Sequence, residues 1–259
     1  MEPEEYERMH RLERNHWWFR GKREAIAALL DRAGIGPPTS GERIVDVGCG
    51  TGAVLERFGA GATAVGIDDH VEALRYAGRR PGARLMRSDA RRLPFRDASV
   101  DRLFLLDVAE HVDDDRRVFA EVRRVLKPAG VAVVHVPAHP SMWSPHDEAM
   151  HHVRRYTRPE LAAKLEEAGL ATLAFTYTFA AILAPAACVR AVKRRNDGAE
   201  RADFGVAPRW ANAPLSIWQR VEAAWLRRLD LPFGLSIAAV VRPDRESSPA
   251  RRPPSGTPR

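Results

Sequence analysis

The chain has 259 residues, 45% of them hydrophobic and 29% charged, which suits one large α/β domain with added elements and excludes a disordered chain. Its two cysteines, Cys49 and Cys188, exclude a disulfide framework or a cysteine metal site and fit a reduced, cytoplasmic setting. The net charge of +7 rests on 37 arginines against 4 lysines, a compositional habit; no basic run is interleaved with aromatics, so no nucleic-acid groove is expected.

The opening Met1-Glu-Pro-Glu-Glu-Tyr6 lacks the basic and apolar regions of a secretory signal. Residues 1–35 read as one or two helices carrying the aromatic-basic string from His16 to Arg23. Short β-rich runs then alternate with helical stretches of crossover length: Arg43 to Val47, Thr63 to Asp68, Ala83 to Asp89, Val100 to Val108 and Val131 to Pro137. That alternation predicts right-handed βαβ units and a parallel sheet whose strand carboxyl ends share one ligand-binding edge. A polar, His-rich loop spans Ala138 to Tyr156. Thr157 as N-cap, Pro159 and Glu160 start a helix that Gly169 closes, and a sixth strand follows over Ala171 to Tyr177.

Residues of about 179–234 form an insertion before a final strand at Leu235 to Arg242. Its apolar run, Phe179 to Val189, is about half of the roughly 20 residues needed to span a bilayer. Arg190, Lys193, Arg194 and Arg195 follow it at once, in the order of an interfacial segment that meets anionic headgroups. The shortness of the run favours instead a core helix under the sheet edge. In a helix from about Leu215 to Leu229, Trp218, Val221, Trp225 and Leu229 recur at helical spacing and are expected to face the core. Residues 244–259, rich in Arg, Ser and Pro, are expected to be disordered.

The strongest chemical signal is Ile44-Val-Asp-Val-Gly-Cys-Gly-Thr-Gly52, a strand running into a turn where Gly48, Gly50 and Gly52 let the backbone approach a ligand closely. The same spacing satisfies the dinucleotide pattern, so a nicotinamide or flavin protein is the natural rival. Asp46, two residues before the first glycine, argues against it, since a carboxylate there reaches an ammonium but repels a pyrophosphate. Asp68 at the end of strand two can accept both ribose hydroxyls, and Asp89 after strand three can accept an adenine amino group.

Taken as a set, VDVGCGTG, the acidic end Asp68-Asp69, SDA, LLDVAEHVDD and RRVLKPAG resemble the class I S-adenosylmethionine-dependent methyltransferases over residues 40 to 137. NHWWFRGKRE and PAHPSMWSPHDEAMHHVRRYT resemble a bacterial subgroup of that superfamily, with Ala129 in place of the usual glycine of LKPGG. The resemblance implies a Rossmann-like, seven-stranded, mostly parallel sheet with its last strand antiparallel and helices on both faces. It implies a methyltransferase domain over 36–243 with residues 1–35 as a helical lid. Asp46, Gly48, Gly50 and the turn closed by Gly52 would hold the methionine end of S-adenosylmethionine, Asp68 with Asp69 the ribose, and Asp89 with Ala90 the adenine. Asp107 and Val108 would floor the sulfonium, and Trp18 and Arg20 would cap the cofactor, Arg20 through a two-pronged ion pair; packing on the core is the other reading of Trp17 and Trp18.

Methyl transfer from a sulfonium is an in-line displacement, so alignment and desolvation supply much of the acceleration. An oxygen acceptor of high pKa also needs a base. His146 and His139 are the candidates, with His111, Trp143, His151, Arg155 and Tyr156 around the acceptor. His146 reads equally as a substrate grip or a loop residue. A metal set of His146, Glu148, His151 and His152 is the minor alternative, but no HExxH pattern exists and no metal is assigned. The leading expectation is O-methylation of a small molecule, with a lipid-like acceptor and weak peripheral membrane contact as an option. N- or C-methylation, a non-enzymatic cofactor-binding module and a dinucleotide oxidoreductase are the alternatives. The end of strand four lacks the box that grips a flipped nucleobase.

Overall fold

The computed structural model describes residues 3–193 and 209–244. Two helices, α1 (Pro3–Leu12) and α2 (Trp17–Arg32), precede an alternating series: β1 (Arg43–Val47), α3 (Ala53–Phe58), β2 (Thr63–Asp68), α4 (Val71–Ala77), β3 (Arg84–Arg87), β4 (Val100–Leu106), α5 (Asp115–Val125) and β5 (Leu126–Pro137). After β5 come α6 (Pro145–Ala149), α7 (Arg158–Glu167), β6 (Leu170–Thr178), α8 (Ala180–Lys193), α9 (Asn212–Leu226) and β7 (Ser236–Pro243).

The strands form one seven-stranded sheet in the order β3-β2-β1-β4-β5-β7-β6. The first five pair in parallel, whereas β7 enters between β5 and β6 and runs antiparallel to both. The apolar β1, β4 and β5 occupy the middle, where Ile44, Val45, Leu103, Phe104, Val133 and Val134 are buried, as a strand covered on both faces demands. One face packs on α5 and α7 through Val118, Phe119, Val122, Leu161 and Leu165. The other receives α2 through Ile26, Leu29 and Leu30. Thr157 caps α7 as its sequence predicts, its side chain accepting from Glu160 N.

The insertion corrects one expectation. Trp218, Val221, Trp225 and Leu229 are each half exposed or more, and with Ile217 they form a solvent-facing stripe. Ser216, Gln219, Glu222, Ala223 and Leu226 lie on the buried face instead. The reason is the partner. α2 offers α9 the small residues Gly21, Ala25 and Ala28, against which Ala223 and Leu226 pack, and a Cβ on Gly21 would sit 2.7 Å from Gln219 Cγ. A tryptophan cannot occupy that seam. The buried Glu222 carboxylate in turn accepts from Phe179 N at 2.5 Å and Ala180 N at 2.9 Å, satisfying orphan donors at the start of α8.

Of the apolar run, Ile182, Leu183 and Ala186 of α8 lie half-buried against Trp17, Phe179 and Leu235, while Ala184 and Pro185 are exposed. The expected linker before Pro208, the side chains of Arg190 to Arg195 and the tail beyond Asp244 lie outside what is described.

Candidate functional site

A cavity of about 1020 Å³ opens along the carboxyl ends of β1, β2, β4 and β5. The β1 strand delivers Asp46 to its floor and runs into the glycine turn. Gly48, Gly50 and Gly52 adopt φ of 69°, 52° and 84°, left-handed conformations that explain the residue type. The intolerant position is Gly48, where a Cβ would lie 2.3 Å from Val108 Cγ2; at Gly50 it would meet only the mobile end of Met9, at 2.9 Å.

Asp46 is buried, and its Oδ2 has no hydrogen-bond partner. Burial pushes its carboxyl well up, against the pull of the Lys22 ammonium. An orphaned buried carboxylate facing a cavity suits a cationic group, and the ammonium of S-adenosylmethionine would supply both the missing donor and the charge. Asp68 accepts from Gly50 N at 2.9 Å and His70 N at 3.0 Å, so the ribose candidate also ties down the glycine turn. Its own burial raises its pKa, opposed by those two amides. Asp69, exposed, pairs with His70. Asp89 is held by Arg91 through Nε and Nη2, which lowers its pKa. Both stand at the cavity wall with Ala90.

Asp107, just after β4, has φ of 56°, a strain that short polar side chains tolerate and that clusters at functional sites. One carboxylate oxygen accepts from Lys22 Nζ at 2.6 Å, the other lies 2.5 Å from His135 Nδ1, and His135 Nε2 lies 3.2 Å from Thr178 Oγ1. Desolvation pushes the Asp107 carboxyl up, but Lys22 and His135 overcome it and hold the group ionised. Lys22 and His135 were not singled out in the sequence. Helix periodicity on α2 puts Lys22 one turn beyond Trp18 and is the signal that points to it.

Trp18 lines the cavity and stacks on Phe179, with ring centroids 4.0 Å apart, while Trp17 is buried beside them. Both rings border the cavity, Trp17 from a buried position and Trp18 from a partly exposed one. Arg20 is not among the lining residues; Lys22 and Arg23 face the cavity instead. Gly52 also lies behind the wall, next to Arg80. The N-terminal helix adds Tyr6 and Met9 over the glycine turn, and Glu13 just beyond its end joins them. Buried Glu13 accepts from Thr51 Oγ1 at 2.5 Å and pairs with Arg80, whose Nε donates to Thr51 O. No periodicity in the sequence marks Glu13 as buried; its partners are Thr51 of the glycine turn and Arg80, just beyond α4.

Of the residues expected around an acceptor, His111, His146, His151 and Arg155 line the cavity. His139, Trp143 and Tyr156 do not. His139 stacks on Tyr177 and its Nε2 bonds Gly234 O at 2.9 Å; Trp143 Nε1 donates to Glu148; and Tyr156, fully buried, donates to Asp115 Oδ2 at 2.7 Å. All three brace the loop. Its buried centre is Asp147, whose carboxylate takes Ser144 N, His152 Nδ1–H and Arg155 Nε–H. Burial pushes that carboxyl up, but the His152 and Arg155 bonds outweigh it and keep it ionised. Arg155 therefore grips its own loop, one edge of it touching the cavity. Beyond it the wall turns apolar, with Ile182, Pro185, Ala186, Leu215 and Leu235.

The sheet order, the glycine turn and the acidic strand ends define a Rossmann-like α/β domain with a ligand-sized cavity at the carboxyl ends of its strands. Residues 45–134 match the family described as methyltransferase domain. A Mycolicibacterium smegmatis protein named a probable S-adenosylmethionine-dependent methyltransferase is 29% identical over 167 residues, 61% of each chain. The demethylmenaquinone methyltransferase of Renibacterium salmoninarum is 34% identical over 115 residues, 44% of this chain and 47% of that one. The chain thus spans about half to three fifths of the length of these relatives. In fold, the S-adenosylmethionine-dependent methyltransferase of Mesorhizobium loti superposes with a TM-score of 0.54 at 20% identity, covering 85% of this chain and 97% of that one.

Proposed function

We propose that the protein transfers the methyl group of S-adenosylmethionine to a hydroxyl oxygen of a small, partly apolar acceptor, with residues 1–35 serving as a lid on the cofactor. The carrying observation is the two-sided cavity: an acidic, glycine-bounded half with the orphaned Asp46 carboxylate, and an opposite half lined by histidines and an apolar wall. S-adenosylmethionine supplies an activated methyl on sulfonium. Asp46 binds the ammonium, Asp68 the ribose hydroxyls, and Lys22 with His135 holds Asp107 charged near the transferring carbon. Trp18 and Phe179 exclude water from one side. His146, at the acceptor end, accepts the hydroxyl proton as the oxygen attacks. Purified protein incubated with methyl-labelled S-adenosylmethionine and fractionated cell extract should label one product that loses its label on ether-cleaving treatment. A labelled amine or carbon-methylated product would overturn the oxygen assignment.

A lipid-like acceptor is favoured by a specific observation. The exposed stripe of α9 continues into Trp210 (78% exposed) and Phe233, beside exposed Arg220 and Arg228. Aromatics flanked by arginines on a chain of net charge +7 suit an anionic bilayer surface, and Leu215 at the start of the same helix lines the cavity. No helix among the described residues is long and apolar enough to cross a membrane. In flotation with phosphatidylglycerol-containing vesicles, the protein should float at low salt, less at high salt, and not after Trp218→Ser with Trp225→Ser. Absence of flotation at low salt, or a concentration-dependent dimer that buries the tryptophans, would overturn the membrane reading.

A further inference from the structure

In the histidine-lined half of the cavity, the methyl-transfer reading gives no role to Glu110 and His152. Glu110 lies in the short helical turn Ala109–His111 after β4. It is completely buried, and neither carboxylate oxygen has a hydrogen-bond partner. A buried carboxylate without donors is costly, and every other buried acid of this region except Asp46 has found one. Two imidazoles face Glu110: one donor atom each from Glu110, His111 and His152 falls within 4.8 Å of the others.

The two histidines are oriented as ligands. His152 Nδ1–H donates to Asp147 Oδ1 at 2.9 Å, and His111 Nδ1 bonds the His151 carbonyl at 3.3 Å. Each ring's Nε2 is thereby the nitrogen left with its lone pair, in the arrangement by which carboxylates and carbonyls orient metal-binding histidines. The rings lie 4.8 Å apart, nearly perpendicular. Backbone geometry keeps them together: Val153 N donates to Glu110 O, and His152 N to Asp147 O, both at 2.8 Å. Asp147 itself is pinned by Ser144 and Arg155. All three candidate ligands line the cavity, and the His146 ring stands 6.5 Å from that of His152.

We propose that Glu110, His111 and His152 bind one divalent transition-series cation, of the Zn²⁺, Co²⁺ or Mn²⁺ class, on the acceptor side of the cavity. Two imidazoles and one carboxylate suit such ions better than Mg²⁺ or Ca²⁺, which take all-oxygen sets. Three protein ligands leave coordination positions open toward the cavity. On the methyl-transfer reading, an acceptor hydroxyl bound there gives up its proton to His146; its oxygen forms a bond to the methyl carbon as the carbon–sulfur bond breaks, leaving the thioether product. That role rests on the proposed function; the metal site does not.

The test reads metal binding directly. Chelator-treated protein is titrated with Co²⁺, followed by d–d absorption, and with Zn²⁺ by calorimetry, for the native chain, Glu110→Gln and His152→Ala. One equivalent should bind, and each variant should weaken it by about 10- to 100-fold or more. Zn²⁺ should raise the native Tm but not that of Glu110→Gln, whereas in chelator Glu110→Gln should melt no lower than the native protein, since the carboxylate it replaces has no partner. Absence of Co²⁺ uptake by the native protein overturns the proposal. So does uptake that both variants leave unchanged, which would place the ion at the Asp68, Asp69 and His70 cluster or elsewhere on the surface. Because no step of this measurement needs methyl transfer, loss of the acceptor reading and loss of the metal site are separable results.

Discussion

Asp68→Ala should weaken S-adenosylmethionine binding by about 10²- to 10⁴-fold, measured by calorimetry. Two ribose hydroxyls left without an acceptor inside the cavity cost about 1–3 kcal/mol each. The structure adds a second source of loss, because Asp68 also receives the Gly50 and His70 amides. Without the carboxylate the glycine turn loses the anchor that aims its backbone at the ligand. Asp68→Asn separates the two: its amide oxygen keeps one acceptor for the turn, so that variant should fold normally and bind with intermediate affinity. Unchanged affinity in Asp68→Ala would remove the ribose role from this residue, and preferential binding of NADH by the native chain would overturn the cofactor assignment itself.

His146→Ala should lower turnover by about 10²- to 10⁴-fold while leaving cofactor affinity alone, the result expected when proton transfer is lost from the transition state but not from binding. His146 lies on the cavity wall, and His139, the other base candidate, is committed to Tyr177 and Gly234 O. His139→Ala should therefore act on stability more than on chemistry. A rise in the acceptor KM with kcat unchanged would make His146 a grip, and no change in either constant would make it a loop residue.

The strand edges that carry the cofactor half were legible because they are local. The β1 and β2 boundaries at Arg43–Val47 and Thr63–Asp68 follow from apolar runs ended by a glycine turn and by acidic residues, and the same few residues both form the strand end and face the cavity. Asp46, Gly48, Gly50, Asp68, Asp89 and Asp107 reach the cavity for that reason. The antiparallel seventh strand was legible only through the family resemblance, since nothing in Leu235 to Arg242 states which neighbours it will pair with.

What the tertiary structure decided is where long-range partners spend a side chain. Lys22 rather than Arg20 meets the cavity because the rotation of α2 is set by Ile26, Leu29 and Leu30 packing on the sheet. The helical spacing of Trp218, Val221, Trp225 and Leu229 marked one face of α9 correctly, but periodicity does not say which side the protein is on; the small residues of α2 accept only Ala223 and Leu226, and the tryptophans are left in solvent. Glu110 and His152 are 42 positions apart in the chain, and no spacing rule joins them. They meet because β4 and the loop after β5 end at the same edge of the sheet, where one backbone hydrogen bond from Val153 to Glu110 sets their distance.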